Sequence, residues 1–198
     1  MTTLFLVRHG KTESSGKRLC GNLRGIHLNE FGKQQAEIIA NYVAEFPIKA
    51  IFSSPLERTM ETAMPLAQKT NLTITPQEFL REIDFGDFQG KSEELLESPI
   101  WKEFNEHPAK VRFPNGETIH ESQKRVVEGL DKLCSEFSAN DQIVIVSHCE
   151  ALRLAVAFAL GAPIDAYQRL TIDPGSITRI EWQDGRYRLL SLNVSPIS

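Results

Sequence analysis

Two hydrophobic patterns alternate along the chain: short apolar runs, which are typical of strands, and apolar residues at helical spacing. This predicts that strands and helices alternate. Short apolar runs predict strands at residues 3–7, 48–53 and 72–75. Residues 143–146, Ile-Val-Ile-Val, predict the most clearly marked strand. The run is β-branched throughout and apolar on both faces, which is typical of a central parallel strand.

Helix signals separate these strands. Asn29 is predicted to cap a helix over residues 31–46, and Pro55 is predicted to lie in the first turn of the next helix. Thr118 is predicted to cap a long amphipathic helix, because the apolar residues after it recur at helical spacing. A fourth helix is predicted at about residues 150–160, directly after the central strand.

This alternation predicts an α/β fold, a three-layer sandwich in which a mostly parallel central sheet carries helices on both faces. Two apolar runs, at 176–182 and 187–192, flank an Asp-Gly pair and predict a closing hairpin. We expect a single domain over residues 1–198. Segment 82–115 is too long for a simple connection, so we expect a partly helical insertion that acts as a lid and sets specificity.

Aromatic residues are concentrated in this insertion. They could stack on a nucleotide-like or ribazole substrate, or they could form a small satellite core, which we favour for most of them. The residues are Phe85, Phe88, Trp101, Phe104 and Phe113.

Composition narrows the possible partners. The chain has 198 residues, is 41% hydrophobic and carries a net charge of -4 without a Lys/Arg cluster, which argues against disorder and against nucleic acid as a partner. The longest apolar run, residues 154–160, is far too short to span a membrane. The three cysteines show no CxxC spacing, so neither a disulfide framework nor structural zinc is supported, and we expect a cytoplasmic protein.

Polar residues suited to phosphate chemistry follow the predicted strands: Arg8 and His9, then Arg58, then Glu82, then His148. Because parallel strands end at one edge of a sheet, these side chains are expected to converge. Arginines bind phosphate oxygens, and an imidazole can attack phosphorus. A second imidazole can stabilise charge, and a carboxylic acid can protonate the leaving group. Taken alone, each residue also fits a structural or surface role, and Glu78, Asp84 and Asp87 compete with Glu82 for the role of the acid.

Four ordered motifs make the chain resemble the histidine phosphatase superfamily, the phosphoglycerate mutase-like proteins. Residues 7–12, Val-Arg-His-Gly-Lys-Thr, resemble the nucleophile motif of that family. Residues 28–36 resemble its L-T-E-x-G-x-x-Q-A helix start, and residues 53–63 resemble its second arginine motif. Residues 146–148, Val-Ser-His, resemble the second histidine motif, with Arg153 also in register.

The resemblance implies a mechanism without metal or cofactor. His9 attacks the phosphoryl group and becomes phosphohistidine, which requires that its other ring nitrogen donates to a fixed acceptor such as a main-chain carbonyl. Arg8, Arg58 and His148 surround the equatorial oxygens of the transferring group. Glu82 protonates the leaving oxygen and then activates the hydrolytic water.

Two positions depart from the family pattern. Ser15 stands where the family often has an asparagine that helps to bind phosphate, and its hydroxyl can still donate. Cys149 stands where the family usually has glycine, and its main-chain N–H can still contact phosphate. We expect its side chain to act as a small packing group rather than as a second nucleophile.

The segment at 81–90 resembles the phosphatase branch, and residues 114–118 resemble an element of several phosphatases, including α-ribazole phosphatases of cobalamin synthesis. We therefore predict a metal-independent phosphomonoesterase that acts on a small phosphorylated metabolite, with no nucleic-acid or membrane partner. Three alternatives stay open: mutase-type phosphotransfer, a phosphate-binding module without turnover, and a metallohydrolase, which no HxH or HExxH spacing supports. The oligomeric state also stays open, a homodimer included.

Overall fold

A six-stranded sheet in the order β3-β2-β4-β1-β5-β6 forms the centre of the computed structural model, which describes residues 1–91 and 97–196. The strands are β1 (Thr2–Arg8), β2 (Ile48–Ser53), β3 (Ile74–Pro76), β4 (Gln142–Ser147), β5 (Ile177–Gln183) and β6 (Arg186–Val194). The α-helices of the described residues are α1 (Glu30–Val43), α2 (Glu57–Thr70), α3 (Pro99–Glu106), α4 (Ile119–Cys134) and α5 (Cys149–Ala159).

Strand β4 is the centre of the parallel part of the sheet. It pairs in parallel with β1 on one side and with β2 on the other, and β2 pairs in parallel with β3. Val144 lies opposite both Phe5 and Ile51, so β4 is an interior strand, the position that its apolar pattern on both faces predicts. Strands β5 and β6 form the predicted hairpin and extend the sheet in antiparallel pairing from β1.

Helices cover both faces of the sheet, as predicted. Leu4 and Leu6 of β1 belong to one apolar cluster with residues of α4 and α5. The alternate residues Phe5 and Val7 belong to a second cluster with residues of α1 and α2. Because successive side chains of a strand point to opposite faces, one four-residue apolar run supplies both cores. The sandwich has three layers, and the carboxyl ends of its parallel strands lie at one edge.

Two helix starts confirm the capping predictions. The side chain of Asn29 accepts a hydrogen bond of 2.8 Å from the N–H of Gly32. Thr118 and Glu121 form a reciprocal capping box at the start of α4.

The predicted start of α2 was wrong by two residues, because Pro55 precedes the helix, which begins at Glu57. The N-cap residue, Leu56, keeps an extended backbone. The carbonyl of Ser54 accepts a hydrogen bond from the hydroxyl of Thr59, so that part of the connection is held by a side chain instead of by a helical turn.

The segment at 82–115 is partly helical in its described part, with a 3-10 turn at Gly86–Phe88, helix α3 and a second 3-10 turn at Pro108–Lys110. Residues 92–96 lie outside the described residues. Phe85, Phe104 and Phe113 are buried in a third apolar cluster, which confirms the satellite core. Nowhere in residues 1–91 or 97–196 does a helix combine the length and the apolar character needed to cross a membrane.

Candidate active site

The carboxyl edge of the parallel strands brings the predicted residues together. Arg8 ends β1 and His9 follows it, while Arg58 lies in the first turn of α2 and Glu82 follows the 3-10 turn after β3. These four residues line one cavity of about 400 Å³. His148, between β4 and α5, is fully buried beneath it, with its ring centroid 5.3 Å from that of His9.

The loop after β1 is held tightly against α1. A Cβ atom on Gly10 would lie 2.6 Å from the carbonyl oxygen of Gly32, and a Cβ atom on Gly32 would lie 2.1 Å from that of Lys11. Only glycine at both positions permits this approach of two main chains. The N–H of Gly10 also donates to the hydroxyl of Thr62 at 3.0 Å, so the carbonyl of Gly10 has a fixed place.

His9 is held in one tautomer. Its Nδ1 lies 2.7 Å from the carbonyl oxygen of Gly10, an acceptor only, so Nδ1 carries the proton and Nε2 keeps its lone pair. Burial, and then the charges of Arg58 and Arg8, lower the pKa of His9 to about 3. The ring is therefore neutral near pH 7, as a nucleophilic imidazole must be.

The lowered pKa of His9 predicts an acid-dependent loss of stability. A histidine whose pKa falls from 6.5 to about 3 on folding stabilises the protein fully above pH 6.5, and this contribution is lost as the pH falls to 3. Relative to His9→Asn, which keeps a donor for the Gly10 carbonyl but does not titrate, the wild type should lose about 3 kcal/mol between pH 7 and pH 4. Urea unfolding of both proteins at each pH measures the free energy of unfolding. If this free energy falls by the same amount in both proteins between pH 7 and pH 4, the prediction is wrong.

His148 is oriented by a serine at the end of a neighbouring strand. Its Nε2 lies 2.8 Å from Oγ of Ser54, which directly follows β2. Burial is the main cause that lowers the pKa of His148, and the positive charge of Arg58 is the next. The ring is therefore neutral near pH 7. The other ring nitrogen, Nδ1, is buried without a hydrogen-bond partner among the described residues, so its hydrogen-bonding capacity is unused.

The two arginines are fixed by main-chain carbonyls. Arg58, only 2% exposed, donates Nη2 to the carbonyl of Gly21 at 2.7 Å and Nη1 to that of Leu23 at 3.2 Å. Arg8 donates Nη1 to the carbonyl of Ile172 at 2.5 Å. The Nε atoms of both arginines are buried without a partner among the described residues. Each guanidinium therefore keeps donor capacity for an anion while its orientation is set.

Glu82 lies at the N-terminus of α5. Its Oε1 accepts hydrogen bonds from the N–H groups of Ile83 at 3.1 Å and Ala151 at 3.0 Å, and its Oε2 accepts from the N–H of Glu150 at 3.2 Å. Burial raises the pKa of Glu82, assisted by the charge of Glu150, and these effects outweigh the three N–H donors, which lower it. A carboxyl group in this state can give up a proton and take it back.

Ser15 and Cys149 both line the cavity. Oγ of Ser15 accepts a hydrogen bond from the N–H of Thr12 at 2.9 Å, so the hydroxyl also shapes its own loop. Burial raises the pKa of the Cys149 thiol to about 12, with the charge of Glu150 as the next cause. A protonated thiol is a poor nucleophile, in keeping with a packing side chain. Phosphate contact at these two positions stays a prediction.

Several lining residues were not predicted as site residues from the strand ends. Arg153 forms an ion pair with Glu150 at 2.9 Å in the cavity wall, and Arg18 donates Nε to Oγ of Ser14 at 2.8 Å. A sequence signal existed for Arg153, because it lies in register with the second histidine motif of the family. Further lining residues are Trp101, Phe104, Asn105 and Gln168.

The family model described as the histidine phosphatase superfamily (branch 1) matches residues 4–195. The chain belongs to the histidine phosphatase superfamily. Phosphoserine phosphatase 1 of Hydrogenobacter thermophilus is 30% identical over 198 residues, which cover 98% of this chain and 93% of that protein. A probable phosphoglycerate mutase, GpmB of Yersinia pestis, is 32% identical over 187 residues, which cover 93% of this chain and 86% of that protein.

Solved structures of similar proteins share the whole fold. YhfR of Bacillus stearothermophilus superposes with a TM-score of 0.93 at 26% identity, covering 100% of both chains. A mutant phosphoserine phosphatase of Entamoeba histolytica, solved in complex with phosphoserine, gives a TM-score of 0.88 at 28% identity and also covers 100% of both chains. Together with the family match, these phosphatases identify the protein as a phosphoric monoester hydrolase.

Proposed function

We propose that this member of the superfamily is a metal-independent phosphomonoesterase that transfers the phosphoryl group of a small metabolite to His9 and then to water. The observation that carries the proposal is the state of His9. The ring is neutral, its Nδ1 donates to the carbonyl of Gly10, and its Nε2 keeps a lone pair. The positive charges of Arg58 and Arg8 help to lower the pKa of the ring.

The first half-reaction forms the phosphoenzyme. Nε2 of His9 attacks phosphorus, the bond from phosphorus to the ester oxygen breaks, and the proton of the Glu82 carboxyl passes to that oxygen as the alcohol leaves. Arg8, Arg58 and the Nδ1–H of His148 donate to the equatorial oxygens, where the charge of a loose transition state is spread. These groups are fixed before the reaction, so little reorganisation is required.

The second half-reaction hydrolyses the phosphoenzyme. The Glu82 carboxylate takes a proton from water, the water oxygen attacks phosphorus, and the bond from phosphorus to Nε2 of His9 breaks. Neutral His9, protonated Glu82 and inorganic phosphate result. The raised pKa of Glu82 suits both halves, because the group must donate in one and accept in the other.

The substrate is proposed to be a small phosphorylated metabolite whose remainder lies between helix α3 and helix α5. Trp101 and Asn105 of α3 line the cavity together with Glu150 and Arg153 of α5. The segment at 82–115 therefore supplies one wall, which supports its role as the specificity insertion. The relatives named phosphoserine phosphatase make O-phosphoserine the first compound to test.

Mutase-type phosphotransfer is the second candidate, and the similarity to the probable phosphoglycerate mutase of Yersinia pestis favours it. Both reactions begin with the same phosphohistidine. They differ in the acceptor, which is water in a phosphatase and a second hydroxyl of the substrate in a mutase. An assay with 3-phosphoglycerate that follows 2-phosphoglycerate and inorganic phosphate together distinguishes them.

The proposal predicts an acid-labile, base-stable phosphoenzyme that forms and decays in the presence of a chelator. Rapid quenching of the enzyme with ³²P-labelled substrate should trap the label on His9, with steady turnover of p-nitrophenyl phosphate unchanged in EDTA. A screen over O-phosphoserine, 3-phosphoglycerate and α-ribazole phosphate then ranks substrates. Activity lost in EDTA and restored by zinc would contradict the metal-independent mechanism. Trapped label without release would indicate a binding module.

A further inference from the structure

Arg125, in helix α4, holds the main chain of the segment that carries Glu82. Its Nη1 donates to the carbonyl oxygens of Phe79 at 2.8 Å and Arg81 at 3.1 Å, and its Nη2 donates to the carbonyl oxygen of Glu82 at 3.3 Å. One planar guanidinium thus satisfies three carbonyls within four residues. Main-chain carbonyls ordinarily accept their hydrogen bonds from N–H groups of a helix or a sheet. Here the Arg125 side chain supplies the donors.

Glu117 extends this contact to the other side of Glu82. Its carboxylate accepts from Nε of Arg125 at 2.8 Å and from Nη2 at 2.7 Å, a two-pronged ion pair. The same carboxylate accepts from the N–H of Asp84 at 3.1 Å, while the N–H of Glu117 donates to the carbonyl of Asp84 at 2.8 Å. Arg125 and Glu117 together therefore fix the chain immediately before and after Glu82.

The end of strand β4 supplies the remaining support. The hydroxyl of Ser147 donates to the carbonyl of Leu80 at 2.7 Å, and both residues are fully buried. All four carbonyls from residue 79 to residue 82 thus accept a side-chain hydrogen bond. Because Ser147 directly precedes His148, the proton-donating segment and the second histidine are tied to the same strand end.

The carboxyl group of Glu82 is oriented separately, by N–H groups of α5 and of Ile83. Its position relative to the ester oxygen therefore depends on three supports: the start of α5 for the carboxyl, and the Arg125–Glu117 pair and Ser147 for the main chain. Proton transfer requires heavy atoms about 2.6–3.2 Å apart. A shift of the main chain by a fraction of an ångström is enough to weaken the transfer.

We propose that Arg125 and Glu117 are positioning residues that hold Glu82 at the distance needed for proton donation. The inference rests on the proposed role of Glu82 as proton donor. Arg125 and Glu117 are not among the described residues that line the cavity, so they do not touch the substrate. The charge of Arg125 is also the smallest of the causes that lower the pKa of His148, and this effect does not depend on the leaving group.

The test uses leaving groups that differ in their need for a proton. p-Nitrophenyl phosphate releases a stable anion, whereas phenyl phosphate has nearly the same shape and a more basic leaving oxygen. The constant kcat/KM reports the steps up to phosphoryl transfer. Arg125→Met should lower kcat/KM for phenyl phosphate about 30-fold and that for p-nitrophenyl phosphate at most about threefold. Glu82→Gln should show the same asymmetry more strongly.

The matched control is Arg188→Met, which removes an arginine that pairs with Glu181 on the distant β5–β6 hairpin. It should leave kcat/KM unchanged for both substrates. Because Arg125→Met leaves a half-buried carboxylate without its partner, Glu117→Gln serves as the second variant, with its melting temperature measured alongside. It should show the asymmetry to a smaller extent. Adding Arg125→Met to Glu82→Gln should cost nothing further for phenyl phosphate, since the two act through one group.

Two results would overturn the inference, and they differ. If Arg125→Met and Glu117→Gln lower kcat/KM equally for both substrates while Glu82→Gln is asymmetric, the pair is structural and Glu82 remains the proton donor. If Glu82→Gln itself shows no asymmetry, the proposed role of Glu82 fails and the positioning role fails with it.

Discussion

His9→Ala is expected to lower kcat/KM for p-nitrophenyl phosphate by about 10⁴-fold or more. Alanine offers no atom that can accept the phosphoryl group, and a good leaving group cannot compensate for a missing nucleophile. This distinguishes the variant from Glu82→Gln, whose loss should depend on the leaving group. Steady-state assays, together with the absence of trapped ³²P-phosphoenzyme, measure the effect.

The control for this substitution is His120→Ala, which removes an exposed histidine at the start of α4 and should leave kcat/KM unchanged. The variant His9→Ala should still bind inorganic phosphate in calorimetry, because Arg8, Arg58 and His148 are held by groups other than His9. Turnover near that of the wild type would contradict the assignment of His9 as nucleophile.

The layers of the fold could be predicted from the sequence because each strand carries a pattern that only one environment satisfies. The run at 143–146 is apolar on both faces, and β4 indeed lies between two parallel strands. The placement of Arg8, His9, Arg58 and His148 at one edge follows from strand direction alone. The start of α2 could not be predicted exactly, and Pro55 lies before the helix instead of in its first turn. The chain around Pro55 is fixed by side-chain hydrogen bonds, such as that from Thr59 to the carbonyl of Ser54, which a local sequence pattern does not contain.

The protonation states of the site could be predicted only in part. A main-chain acceptor for His9 was expected, and the carbonyl of Gly10 provides it. The hydrogen bond between Ser54 and Nε2 of His148 was not expected, because the two residues are 94 positions apart in the chain. Contacts made to main-chain carbonyls, such as those of Arg125, carry no signature in the residues that accept them. For the same reason Glu117 was predicted only as part of the phosphatase-like element at residues 114–118, without its ion pair to Arg125.

The negative net charge of the chain does not describe the charge of the cavity. The molecule carries -4 overall, yet Arg8, Arg18, Arg58 and Arg153 line the cavity. Fixed charges in a cleft determine the local potential more than the average over the surface does. The arrangement favours small anions that enter the cavity over polyanions that must approach the whole acidic surface.

Arg58→Met is expected to lower kcat/KM by about 10³-fold, a loss similar to that of other arginines that stabilise a transferring phosphoryl group. Arg58 is 2% exposed, so its charge acts through a medium that screens it weakly. Its Nη atoms are held by the carbonyls of Gly21 and Leu23, which fixes the guanidinium before any substrate arrives. Methionine keeps much of the volume and removes the charge.

The same variant carries a second readout that separates loss of charge from loss of fold. After burial, the charge of Arg58 is the next largest cause of the lowered pKa of both His9 and His148, so both pKa values should rise in Arg58→Met. NMR titration of the imidazole Cε1 protons measures this directly. Arg58→Lys keeps the positive charge but lacks the planar guanidinium with its several donors. The two histidines of this variant should therefore titrate as in the wild type, while only part of the activity is recovered. An active Arg58→Met whose histidines titrate unchanged would exclude Arg58 from the site.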